Sequence, residues 1–223
     1  MKPSKCVALV MSALCVAPVA TPAASAAGTV KTGRACYVAK GRKGANVEVS
    51  GSGFTAGEAV FAQIPAPGGL AGFSETTVNP DGTLAATVEH VFPGTIEPVA
   101  KTMKMQIKGV LSDQILAEVP FHITNLAVKT EPPTGSYRKV VTYLFSGFRP
   151  NRPIFGHYFR HGVLAVTHRF GKAEGACGLL RAKSRLFPGH GPRNAKYKVQ
   201  FDDSRKVNPK ASPKIVTSLG AVF

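Results

Sequence analysis

The chain of 223 residues has few acids, few cysteines and no long apolar run beyond its first twenty residues. Twelve Asp/Glu stand against twenty-eight Lys/Arg, for a net charge of +16. With no further apolar stretch near ~18 residues, no transmembrane segment is expected. A sustained 3.6-residue period is missing too, which argues against a helical fold. No nucleophile, base and orienter fall into a recognisable catalytic pattern, and Asp202 and Asp203, being adjacent, would face opposite sides of a strand. The sequence also carries no helix-turn-helix, zinc-finger or RNA-binding aromatic signature, so specific nucleic-acid binding is not expected.

Residues 1–26 read as a secretory signal peptide. Lys2 and Lys5 precede an apolar run from Cys6 to about Ala20, and Ala24-Ser25-Ala26 supplies a small-residue cleavage site. The mature chain is therefore expected to be secreted, in an extracellular setting. Two cysteines leave with the leader, so only Cys36 and Cys177 can pair within one mature chain. Oxidising conditions favour that bond; two buried free thiols or an intermolecular bridge are the alternatives. An intramolecular bridge would staple one half of the chain to the other. The loop it closes corresponds to about 5 kcal/mol in a chain-entropy estimate.

A repeat is present. Gly53-Phe54 returns as Gly147-Phe148, Phe92-Pro93-Gly94 as Phe187-Pro188-Gly189, and Lys104-Met105-Gln106-Ile107 as Lys198-Val199-Gln200-Phe201. Three matches in one order at nearly one offset point to an internal duplication. Short alternating runs, such as Met103, Met105 and Ile107 against Lys104, Gln106 and Lys108, are separated by turns such as Asn79-Pro80-Asp81-Gly82. That spacing predicts antiparallel sandwiches. The division expected is a first domain over 27–128, a Pro-containing linker over 129–136 and a second domain over 137–223.

Charge divides the same way. Residues 28–128 hold eight basic and eight acidic residues, whereas 129–223 hold eighteen basic and four acidic. In the second domain Arg181, Lys183 and Arg185 alternate along one strand, and Lys196 and Lys198 along another. Arg149, Arg152 and Arg160 flank the repeated turn, and Arg169 lies between His168 and Phe170. Guanidinium groups suit bidentate contact with phosphate, sulfate or carboxylate. These nine residues are the candidate polyanion-binding set, with a solvated charged surface as the plainer account. His157, His161, His168 and His190 invite a metal reading. On a strand, however, His157 and His161 would stand about 13 Å apart, so neither a metal nor another cofactor is expected. Phe54 and Phe148 read as core plugs behind a tight turn.

The segment Val47-Glu48-Val49-Ser50-Gly51-Ser52-Gly53-Phe54-Thr55-Ala56-Gly57 resembles secreted bacterial Ig-like domains, among them neocarzinostatin-type sandwiches and the Ig modules of bacterial surface proteins. The second half keeps Ser146-Gly147-Phe148-Arg149-Pro150. The resemblance implies an all-β chain of two tandem Ig-like antiparallel β-sandwich domains with an extracellular binding or structural role, and it transfers no catalytic residue. Neocarzinostatin-like proteins hold two disulfides within one domain. This chain lacks them, which counts against an enediyne-type pocket. Function is thus expected to be non-catalytic, with a polyanionic cell-surface or extracellular polymer (cell-wall polymer, acidic glycan or anionic lipid) as partner. A secreted hydrolase, or a small-ligand sandwich using the histidines, is the alternative.

Overall fold

A computed structural model of the chain describes residues 28–133, 136, 139–188 and 196–220. The expected signal peptide and His190 lie outside the described residues. Eight strands make up the first half: β1 (Thr29–Thr32), β2 (Cys36–Ala39), β3 (Ala45–Ser52), β4 (Ala59–Ala66), β5 (Gly69–Thr77), β6 (Leu84–Val91), β7 (Ala100–Gly109) and β8 (Ile115–Asn125). Seven follow: β9 (Ala127–Glu131), β10 (Val140–Ser146), β11 (Pro153–Arg160), β12 (Val163–Lys172), β13 (Leu180–Arg185), β14 (Lys196–Asp202) and β15 (Ile215–Gly220). The chain is all-β; a single 3₁₀ turn at Gly41–Lys43 is the helical element among the described residues.

The strands form four sheets, ordered β1-β3-β6 and β2-β8-β7-β4-β5 in the first half, β9-β10-β13 and β15-β14-β11-β12 in the second. Apart from β2, the two halves repeat one strand order. The duplication holds at the level of register. Gln63 of β4 faces Gln106 of β7, and His157 of β11 faces Gln200 of β14, each residue 94 positions beyond its counterpart. In each half, alternate residues of both sheets meet in one apolar cluster. Val47, Val49 and Leu84 pack towards Ile64, Met105 and Ile107 in the first, and Tyr143 and Phe145 towards Tyr158, Val199 and Phe201 in the second. Phe54 and Phe148 are both buried, as plugs of these cores.

Two expectations need correction. Residues 129–131 are strand, not linker: β9 pairs with β10 from Ala127↔Ser146 to Glu131↔Thr142. Unmet backbone N–H and C=O groups beside β10 outweigh the polar composition that suggested a linker. Nor is every pair antiparallel, because β2 runs parallel to β8 from Cys36↔His122 to Ala39↔Asn125. That ladder starts after Pro120, whose missing N–H is tolerated where β8 has no partner on that side.

The halves meet beside β2. Leu126 N–H donates to the Ala39 carbonyl at 2.9 Å, and Ser146 Oγ donates to the Asn125 carbonyl. Cys36 and Cys177 are disulfide-bonded, with Cα atoms 5.3 Å apart. Cys177 sits in the segment between β12 and β13, where its carbonyl accepts from Gly147 N–H at 2.9 Å. Gly147 has φ +76°, and a Cβ there would press on Val38, Leu126 and the Asn125 carbonyl. Only glycine lets the second half approach β2 this closely.

Candidate functional site

Along β13 the exposure alternates: Arg181, Lys183 and Arg185 face solvent while Leu180, Ala182 and Ser184 lean inward. A strand rise of ~3.4 Å spreads the three cations over about 14 Å, more than one anion spans. β13 is the edge of its sheet. Its partner β10 places Leu144, Thr142 and Val140 beside the three cations. One strand further, Lys129 and Glu131 complete the face. They neutralise one another, since Lys129 Nζ lies 2.9 Å from Glu97 and 3.9 Å from Glu131. Glu97 foremost holds the Lys129 ammonium above its ordinary pKa.

The nine candidate residues do not form one patch. β14, with Lys196 and exposed Lys198, belongs to the other sheet of the second half. β13 and β14 follow each other in the chain but cross between layers, so their outward residues point to opposite sides of the sandwich. Arg160 and Arg169 are exposed on β11 and β12, in the same sheet as Lys198. Arg149 and Arg152 converge instead on Asp203, at 3.4 and 3.8 Å. Arg149 also donates to the Ser212 carbonyl. Arg160, Arg169, Arg181, Lys183, Arg185 and Lys198 form no ion pair among the described residues.

Residues 203–214, between β14 and β15, form a strap over the outer face of the four-stranded sheet. Beneath it, His157 and Asp202 are fully buried. His157 Nδ1 lies 2.9 Å from Thr167 Oγ1, and Nε2 lies 3.0 Å from the Ser204 carbonyl and 3.4 Å from Asp202. Asp202 accepts from Ser204 N–H and from the Gln200 amide, which also donates to the Asn208 carbonyl. The network pins the strap, with both ring nitrogens of His157 occupied. His161 occupies the turn after β11 at φ 48°, and His168 faces Ser184 on β13 at 3.0 Å. Among the described residues no three His, Cys, Asp or Glu side chains gather as a metal site.

Between the two hydroxyls of Tyr143 and Tyr158, 3.2 Å apart in the core, burial raises both pKa values, that of Tyr143 to about 12. They act as a structural hydrogen-bonded pair. Tyr143 also donates to the Leu186 carbonyl at 2.8 Å.

Two clefts flank the strap, both rich in cations. One of about 540 Å³ is lined by Phe159, His161, Lys198, Lys214 and Val216 among others. The other, of about 690 Å³, lies between the halves and takes Arg34, Lys40, Arg149 and Lys214 into its walls. Arg34, Lys40 and Lys214 carry no periodic signal, and Lys214 lies far from the other two in sequence, so only the folded chain brings it to them. No family model matches the chain, and a search of curated proteins gave no significant match.

Proposed function

We propose that the protein is an exported, non-catalytic binding module of two Ig-like sandwiches whose basic second half holds a polyanion of the cell surface or its surroundings. The observation that carries this reading is the row Arg181, Lys183 and Arg185 on an edge strand, exposed and without ion-pair partners among the described residues. Three of the four acids of that half are engaged elsewhere: Asp202 is buried against His157, Asp203 is taken up by two arginines, and Glu131 lies beside Lys129, while the fourth, Glu174, is exposed between β12 and β13. A row of cations about 14 Å long suits a repeating polymer better than an isolated ion. An acidic glycan or cell-wall polymer is the fitting class of ligand for an exported protein.

The test is retention of the full chain on heparin, and on duplex DNA as a reference polyanion, with salt titrated. Substituting Arg181, Lys183 and Arg185 together with Gln should elute the protein at lower salt. Each lost phosphate contact removes ~0.9 from the log–log salt slope on DNA, so the slope should fall by about 2.7. An unchanged slope in a folded triple variant would leave the row as a solvated surface.

A further inference from the structure

We infer that the cleft between the two halves is a separate binding site for a sugar-sized ligand carrying a phosphate or sulfate ester. The first half supplies Arg34, Val38, Lys40 and Gly41, and the second supplies Gly147, Phe148, Arg149 and the end of the strap, Ala211–Lys214. None of the described residues lining it is acidic. Arg34 and Lys40 are exposed and enter no ion pair among the described residues, while Lys214 is half-buried and donates to the Pro209 carbonyl. Arg149 is steadied from behind by Asp203.

Arg34, Lys40, Arg149 and Lys214 line one open cleft, so their positive fields add where an anion would enter. The Cys36–Cys177 bond and the close approach at Gly147 hold the two walls in place. A preformed positive cleft binds an anion without first having to assemble its donors. Its volume, about 690 Å³, lies within the range of small-ligand sites, ~300–1,000 Å³. A lone oxyanion would leave most of it empty. Val38 and Leu126 add apolar surface on which a sugar ring can lie, while the ester oxygens meet Arg34, Lys40 and Lys214. The site shares no residue with the row on β13, so it stands or falls independently of polymer binding there.

Calorimetry on the full, oxidised chain tests this with three probes: a trisulfated heparin disaccharide, glucose 6-phosphate and inorganic sulfate. At least one sugar ester should bind at one site per chain and more tightly than inorganic sulfate; which ester binds better identifies the group recognised. The double substitution Arg34→Gln/Lys40→Gln should weaken that binding at least about tenfold, as loss of charge-assisted hydrogen bonds implies. Both residues are exposed, so the variant should keep the thermal midpoint of the parent. The Arg181/Lys183/Arg185 Gln variant should bind the short ligand as the parent does. The inference is overturned if neither ester binds, if inorganic sulfate binds as tightly as the esters, or if the double variant retains parental affinity. Equal loss in the β13 variant would also overturn it, by tying the short ligand to the polymer face.

Discussion

The two halves use one strand order but connect its last two strands differently. In the first half β7 reaches β8 through residues 110–114; in the second, β14 reaches β15 through residues 203–214. The consequence shows at one register position. Gln63 and Gln106 share a hydrogen bond at 3.3 Å on a half-buried face, whereas their counterparts His157 and Gln200 are sealed beneath the longer connection. Charge follows the same division. Lys104 pairs with Glu118 at 2.8 Å and Lys108 with Asp113 across the first half's surface. The second half turns Asp202 and Asp203 inward and leaves its outer cations exposed. A sandwich of this order therefore folds with balanced or unbalanced surface charge, so the imbalance is a property added to the scaffold.

The largest expected effect concerns what joins the halves. Replacing Cys36 and Cys177 together with Ala should lower stability by about 5 kcal/mol if the effect is chain entropy, since the bridge spans 141 residues. Urea unfolding followed by fluorescence and circular dichroism should then separate into two transitions, one per half. A single transition with an unchanged midpoint would mean that β2 and the Gly147 turn hold the halves without the bridge.

Next come the two plugs, which compare the cores directly. Phe148 is 2% exposed and stacks edge-on to Phe145 at 5.8 Å, while Phe54 is 8% exposed. Phe148→Ala should cost about 3–5 kcal/mol, with Phe54→Ala nearer the lower end. Denaturant midpoints check the order; a larger loss at Phe54 would reverse the ranking of the cores.

Smaller again is the contrast between inward and outward ion pairs. Asp203→Asn removes the charge that gathers Arg149 and Arg152, and should lower stability by about 0.5–1 kcal/mol, because both guanidinium groups are more than half exposed. Lys104→Gln on the exposed face of β7 should leave the thermal midpoint unchanged. Equal effects from the two would show that Asp203 is as well solvated as Glu118.

Much of this organisation can be read from the residues. The repeated Lys104–Ile107 and Lys198–Phe201 segments lie on matching central strands, because alternation on a half-buried strand leaves a periodic trace that survives divergence. The start of the second half was hidden, since Lys129, Thr130 and Glu131 look like linker and only the free edge of β10 makes them strand. The separation of β13 from β14 was hidden for a related reason: alternation tells which residues face outward but not from which sheet. The basic cleft was least legible, because Arg34 and Lys214 become neighbours only through the contact between the halves.

The smallest expected effect is a pH dependence confined to the second half. His168 on β12 is half-buried, with its ring edge-on to Phe170 at 4.8 Å and Nε2 3.0 Å from Ser184 Oγ. Its counterpart 94 residues earlier is Ser74, which does not titrate in this range. Burial lowers the His168 pKa below its ordinary 6.5. The unfolded chain therefore takes up this proton more readily than the folded chain. Stability is undiminished above about pH 6.5, falls as the pH drops towards the folded value, and is fully reduced below it. The remaining exposure of the ring keeps the effect small. Thermal midpoints measured from pH 7.5 to 5 should decline less steeply in His168→Ser, which installs the first half's residue, than in the parent. Parallel declines would assign the pH dependence to groups other than this histidine.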